Sequence, residues 1–183
     1  MLFKENKVSS MDYLSLPSNA VILIDTNFLI DSFSDQISYL DFFKKIKEQN
    51  RTIVSIDLVK CEFIRSQNKQ IVENKVDYFN QFVETILPFD QKISQILQSI
   101  IEEYAEDGIG VSVVDFYLAC FIKRYQKLYL LTRNHKDFPT RIFQRSCIFS
   151  IGLRKDIKTY ALYQYSPKEK KLIEEINPDD IPL

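Results

Sequence analysis

The sequence predicts an α/β protein with three layers, α/β/α, around a central, mostly parallel twisted sheet. Three observations carry this. Short apolar runs recur between longer amphipathic segments, the alternation of strands and helices that yields a parallel sheet flanked by helices. The first run, V-I-L-I at residues 21–24, is continuous rather than alternating, as in a strand buried on both faces. The 183 residues, 45% hydrophobic and 27% charged, suffice for one domain with a substantial core and have the balance of a globular fold.

Residues 1–19 are a lead-in closed by Pro17, Ser18 and Asn19. A first strand spans about 20–25; Thr26 and Asn27 break it, and a helix starts over 28–33. A second helix covers 36–49, with Ile37, Leu40, Phe43 and Ile46 as its apolar face. A strand at 52–55 is followed by helices at 57–65 and 70–82, then by a short strand at 85–87 stopped by Pro88. Residues 91–105 are the clearest amphipathic helix, with Ile93, Ile96, Leu97, Ile100, Ile101 and Tyr104 on one side. The helix at 112–125 is nearly all apolar from Phe116 to Ile122, which makes it a buried central helix. A strand at 128–131 leads into a turn or short helical piece at 133–138, ended by Pro139. Strands follow at 146–151 and 158–165; the second alternates in part and carries three Tyr, the mark of an edge or hairpin strand. Ser166, Pro167 and Glu169 open a last helix through Ile176, whose stripe Leu172, Ile173 and Ile176 is expected to dock back on the domain. The chain reads as one domain, 1–183, with a core at about 20–151, the lead-in at 1–19 and a strand and helix extension at 152–183.

Composition narrows the function. With 24 basic and 25 acidic residues the net charge is -1, and the pI is about 5.9. That excludes a basic nucleic-acid-coating protein but leaves room for a local basic rim. Three glycines, without a Lys-Ser/Thr or a third Gly at fingerprint spacing, leave no phosphate loop and no dinucleotide motif. Cys61, Cys120 and Cys147 are unpatterned and read as reduced thiols of a cytoplasmic protein. Residues 1–10 are too polar for a signal peptide, and no apolar run reaches the ~18 residues of a membrane helix.

Four acids fall at element ends. Asp25 closes the first buried strand, where open α/β sheets bind ligands; it is equally suited to capping the following helix. Glu62 sits among Leu58, Val59, Cys61, Phe63 and Ile64, an unusual setting for an acid. Asp115 follows Ser112 at capping-box spacing and lies at the start of the buried helix, where the dipole favours a carboxylate. Asp137 follows the strand at 128–131 and has the same cap-and-three spacing to Asn134. Each has a local capping or solvent-facing alternative. Taken together, a parallel sheet brings such ends to one edge, and four clustered carboxylates repel unless a cation joins them. Oxygen-only ligands suit Mg²⁺ or Mn²⁺, and no Cys/His cluster offers a zinc site. The sole histidine, His135, lies in a polar turn and is expected to have a surface role.

I-D-T-N-F-L-I, C-E-F-I-R, V-S-V-V-D-F-Y-L-A-C-F and L-L-T-R-N-H-K-D-F resemble, in order, the four motifs of the PIN domain, a family of metal-dependent nucleases that includes the ribonucleases of bacterial toxin-antitoxin pairs. The resemblance implies that Asp25, Glu62, Asp115 and Asp137 are the catalytic, metal-holding acids, with Thr26, Asn27, Thr132 and Asn134 as supporting polar groups. It implies Mg²⁺ or Mn²⁺ as cofactor and endoribonuclease action on single-stranded RNA by in-line water attack, leaving 5′-phosphate and 3′-hydroxyl ends. Toxin membership would make a protein antitoxin a partner; a homodimer is the other candidate assembly. Candidate rim cations are Arg65, Lys69, Arg133, Lys136, Arg141 and Arg145, while Lys123, Arg124 and Lys127 are assigned to the solvated far end of their helix. Phe28 and Phe138 are expected in the core rather than as stacking platforms. The competing readings are a non-catalytic PIN-like binding module and a nuclease acting on DNA. The lead-in, the enlarged 36–87 region and the thirty or so residues after Ile151 set the chain apart from compact toxins.

Overall fold

The computed structural model describes residues 16–17, 20–106, 108–153 and 156–166. Strands β1 (Val21–Ile24), β2 (Thr52–Ser55), β3 (Thr85–Ile86) and β4 (Leu128–Thr132) run parallel, and β5 (Phe143–Gly152) and β6 (Ile157–Tyr165) form an antiparallel hairpin. Between them lie α1 (Thr26–Ser34), α2 (Gln36–Glu48), α3 (Asp57–Ile64), α4 (Lys69–Phe82), α5 (Gln91–Glu106) and α6 (Val113–Arg124). The sheet order is β3-β2-β1-β4-β6-β5, with β6 antiparallel to β4.

This order explains the layers. The steps from β1 to β2 to β3 move outward in one direction, and right-handed crossovers then lay α1 to α4 on one face, where α1 meets α2, α3 and α4. The return from β3 to β4 moves the opposite way and sends α5 and α6, which pack on each other, to the other face. The result is the three-layer α/β/α architecture the sequence predicts. Ile22, Leu23 and Ile24 of β1 and Leu130 and Leu131 of β4 are fully buried, which is why neither strand alternates.

Helix α2 corrects one expectation. Ile37 and Leu40 are exposed, 71% and 56%, and the buried face is Tyr39, Phe42, Phe43 and Ile46. The aromatics decide the rotation. Phe28 of α1 meets the rings of Tyr39, Phe42, Phe43 and Tyr160 at centroid distances of 5.2, 4.9, 6.0 and 4.8 Å, and Phe42 stacks on Phe149 of β5 at 5.5 Å. Burying three large rings outweighs burying two aliphatic side chains. The last two strands form the hairpin that the sequence allowed, but β5 starts earlier than expected, at Phe143, and holds the sheet edge with an irregularity between Arg145 and Cys147. The tyrosine-bearing β6 lies inside the sheet, with Tyr160 and Tyr163 fully buried. The helix expected from Ser166 onward lies outside the described residues, as do most of the lead-in residues. Among the described residues no helix is long and apolar enough to cross a membrane.

Phe28→Ala is therefore expected to cost about 3–5 kcal/mol in urea denaturation, while Ile37→Ala stays within about 0.5 kcal/mol of wild type. Equal losses would mean that α2 packs through the face read from its spacing.

Candidate active site

The strand order reverses between β1 and β4, so the open crevice of the sheet lies beyond the carboxyl ends of these two neighbours. Asp25 follows β1 directly, and its N–H continues the ladder to the Leu131 carbonyl at 3.2 Å. Asp25 is 5% exposed, and its carboxylate accepts from the Thr26 N–H at 2.6 Å, the Thr132 hydroxyl at 2.7 Å and the Asn27 amide. Asp25 is thus the N-cap of α1 and a residue of the crevice at once; the two readings do not compete. The Thr132 hydroxyl also accepts from the Asn27 amide at 2.8 Å and the Asn134 N–H at 2.9 Å, so the polar residues beside the acids form one connected set.

The other acids reach the same edge from three further elements. Glu62 is exposed on α3, and its Oε2 accepts the Thr26 hydroxyl at 2.6 Å. Asp115 is 6% exposed in the first turn of α6. Ser112 caps that turn: its Oγ accepts the Asp115 N–H at 3.2 Å and donates to Asp115 Oδ2 at 2.7 Å. Asp137 lies half-buried in the turn after β4, bonded by the Asn134 amide, while its carbonyl accepts the Tyr104 hydroxyl of α5 at 2.7 Å.

These acids feel one another. Burial pushes the Asp25 carboxyl up to about 7, with further upward pressure from the charges of Asp115 and Glu62 against the hydrogen bonds from Thr132 and Thr26. Burial also raises Asp115, and the charges of Asp137 and Glu62 add to it against the bonds from Ser112. The donor set suits a hard divalent cation in chemistry: it is oxygen-only, anionic and electrostatically strained without a counter-charge. The tight convergence expected of a formed ligand sphere is not present, since among the described residues no three Asp, Glu, His or Cys side chains already stand in a metal-holding arrangement. Hydroxyl and amide donors now occupy the carboxylate oxygens, and a cation would take over some of those bonds.

The rim cations are dispersed. Arg65 and Lys136 are exposed near Glu62 and Asp137, and Lys69 lies 3.7 Å from Glu73 in an exposed pair. Arg141 reaches back to α5, to Glu106 at 3.2 Å and the Glu103 carbonyl at 2.8 Å, and Arg145 lies over the Tyr163 ring at 5.5 Å. Lys123 and Arg124 are not the solvated run expected of them: their side chains, 20% and 18% exposed, pair with Glu103 and Asp90. Phe28 and Phe138 are both fully buried. His135 serves the fold rather than a free surface: its Nε2 faces the Thr159 carbonyl at 3.2 Å and therefore carries the proton, so its Nδ1 accepts the Tyr163 hydroxyl at 2.9 Å.

Sequence reasoning missed two features. Arg133 Nε donates to Asp31 Oδ2 at 2.6 Å, the Tyr160 hydroxyl donates to the same oxygen at 2.8 Å, and Tyr39 meets the Tyr160 hydroxyl at 2.5 Å. The one signal for this was an acid, Asp31, inside the apolar helix F-L-I-D-S-F. The second is a cleft of about 250 Å³ between the start of α3 and α6, lined by Leu58, Leu87, Phe89, Tyr117 and Phe121 beside Asp57.

A sheet whose order reverses at the crevice, with four acids delivered there by four separate elements, defines an α/β protein with an acidic site at its topological switch point. The chain belongs to the PIN domain family: a model of that family matches residues 22–139, a stretch that includes all four acids. Among solved structures, that of VapBC2 from Rickettsia felis, bound to a DNA fragment from its promoter, is similar with a TM-score of 0.50 at 20% identity, covering 60% of this chain and 96% of that one. A 2.2 Å structure of VapBC-1 from nontypeable Haemophilus influenzae is similar with a TM-score of 0.51 at 18% identity, covering 62% of this chain and 87% of that one. At these identities the likeness is one of fold. A comparison with curated proteins finds no match.

The raised Asp25 carboxyl fixes the sign of a pH effect. Its folded pKa lies above the ordinary unfolded value, so the folded state binds more protons between about pH 4 and pH 7 and loses stability as pH rises through that window. Asp25→Asn keeps the cap and removes the charge. In EDTA, its stability is expected to exceed wild type by about 1 kcal/mol or more at pH 8 and to vary less from pH 4.5 to 8. A variant less stable than wild type at pH 8 would show that the carboxylate acts there mainly as a cap.

Proposed function

We propose that the chain is a Mg²⁺- or Mn²⁺-dependent endoribonuclease that hydrolyses phosphodiester bonds of single-stranded RNA, and that it is the toxin of a toxin-antitoxin pair. The observation that carries the reading is the convergence of Asp25, Glu62, Asp115 and Asp137 on the carboxyl ends of β1 and β4, within a chain of the PIN domain family. A non-catalytic scaffold has no use for the strain of burying Asp25 and Asp115 near two further acids.

In this reading Asp25, Glu62, Asp115 and Asp137 hold the ion or ions. When bound, a divalent cation supplies activation of water at neutral pH and neutralises charge developing on the phosphate. The chain's own residues do the rest. Thr26, Asn27, Thr132 and Asn134 orient the carboxylates through the bonds described above, and Ser112 fixes the rotamer of Asp115. The walls of β1, β4 and α6 keep solvent from the back of Asp25 and Asp115. Arg65 and Lys136, exposed and close in sequence to Glu62 and Asp137, are the candidates for holding the phosphates of a bound strand, contacts that add affinity without sequence choice.

Support for the toxin reading comes from the two similar structures, both VapBC assemblies. Exposed Leu58 and Phe89 at the α3–α6 cleft, with Val113 exposed at the start of α6, offer a protein partner an apolar surface.

Labelled single-stranded RNA should be cut in Mg²⁺ or Mn²⁺ and not in EDTA. Asp25→Asn and Asp115→Asn should each lower the rate at least ~10²-fold while remaining folded. Mn²⁺ should raise the wild-type melting temperature by mass action and leave that of Asp25→Asn nearly unmoved. Equal cutting of single-stranded DNA would broaden the substrate class. Cutting that survives EDTA and both substitutions would reject the metal-acid centre.

A further inference from the structure

We infer that Arg133 is a phosphate-holding residue for the substrate strand and that Asp31, Tyr160 and Tyr39 are the positioning residues that aim it. This rests on the nuclease reading and adds to it a binding group and the device that holds it in place.

Arg133 directly follows Thr132, whose hydroxyl donates to Asp25. Its backbone N–H donates to Asn27 Oδ1 at 3.2 Å, and the amide of the same Asn27 bonds Asp25. The residue is thus tied to the acidic centre through one intervening side chain on each side. Its own side chain is 42% exposed, while that of Asp31 is 11% exposed. The guanidinium spends its Nε–H on Asp31 at 2.6 Å. An arginine has five N–H donors in a planar fork, and among the described residues the four on the two Nη groups of Arg133 have no hydrogen-bond acceptor, with the Asp156 carboxylate the other charge in its field. A phosphodiester oxygen is the anion that a chain threaded past Asp25 would present there.

The holding device is costly for a merely structural link. Tyr39 and Tyr160 are fully buried, and their hydroxyls form a directed chain. Asp31 only accepts, so Tyr160 donates to it at 2.8 Å and Tyr39 must donate to Tyr160. The chain draws on α2, β6, α1 and the turn after β4, four elements that meet only in the folded core. A long, flexible cation fixed this way loses little further rotamer entropy when it meets a phosphate. Among the described residues, the contacts of the other five candidate rim residues are of other kinds. Arg141 and Arg145 are engaged with Glu106 and with the Tyr163 ring, Lys69 faces Glu73 on the surface, and Arg65 and Lys136 are simply exposed.

The test measures kcat and KM for single-stranded RNA, together with equilibrium binding of the same RNA in Ca²⁺ as a function of salt. Arg133→Ala should raise KM about tenfold with kcat within about twofold, and should reduce the steepness of log K against log salt by about 0.7, one phosphate contact on a single strand. Asp31→Asn keeps the cation but loosens its aim; it should raise KM by a smaller factor with the salt slope unchanged. The Tyr39→Phe/Tyr160→Phe pair should behave like Asp31→Asn. Should Arg133→Ala fold poorly, Arg133→Gln retains a donor to Asp31 without the charge and should show the same loss of slope. A folded Arg133 variant with wild-type KM and slope overturns the proposal while leaving the nuclease reading intact, even if its melting temperature falls. A wild-type chain that neither cuts nor binds RNA overturns the nuclease reading and this inference together.

Discussion

A carboxylate buried at the end of a parallel strand, with only neutral donors around it, is the interaction on which this architecture turns. Asp25 receives a backbone N–H, a hydroxyl and an amide and, among the described residues, no cationic side chain, while Asp115 and Glu62 press on it electrostatically. Such a group is expensive to bury, because three neutral hydrogen bonds replace bulk hydration only in part. The fold tolerates it because the strand-order reversal sets β1 beside β4, and Thr132 can then donate across the strand pair. Without that adjacency the Thr132 hydroxyl would not meet the cap of α1.

The same edge explains why capping and site geometry coincide. Asp25 and Asp115 both lie at helix N-termini, Asp25 as cap and Asp115 in the first turn after Ser112. A helix start supplies N–H donors and a positive dipole end, which hold a carboxylate in place with one face still turned to the crevice. The local role orients the acid and the shared edge gives it neighbours, so the two descriptions concern one side chain at two scales.

Most of the architecture was legible in the sequence because its signals are local. Continuous apolar runs marked β1 and β4, and the spacing of acids and caps marked the element ends where the site lies. What stayed hidden depends on which faces meet. The stripe of α2 was misread because Ile37 and Leu40 fit a helical period as well as Tyr39 and Phe42 do, and only the rings of Phe28, Phe149 and Tyr160 choose between the two faces. β6 read as an edge or hairpin strand, and the position of β5 outside it, which buries its tyrosines, cannot be inferred from either strand alone. The rim residues shared one sequence signal, proximity to an acid, yet Arg141 turned away to α5 and Arg133 found Asp31, a partner 102 residues earlier.

If the four acids act as one cation-binding centre, as proposed, then Asp25, whose carboxyl burial raises to about 7, carries a proton at pH 6 that a bound cation must displace. Calorimetric titration of Mn²⁺ at pH 6 and pH 8, each in two buffers of different ionisation enthalpy, tests it most directly, because a cation that displaces a carboxyl proton makes the measured heat depend on the buffer. The account predicts proton release on binding at pH 6, little release at pH 8, and loss of both the release and most of the affinity in Asp25→Asn. Binding of Mn²⁺ without proton release at pH 6, or with undiminished affinity in Asp25→Asn, would contradict it.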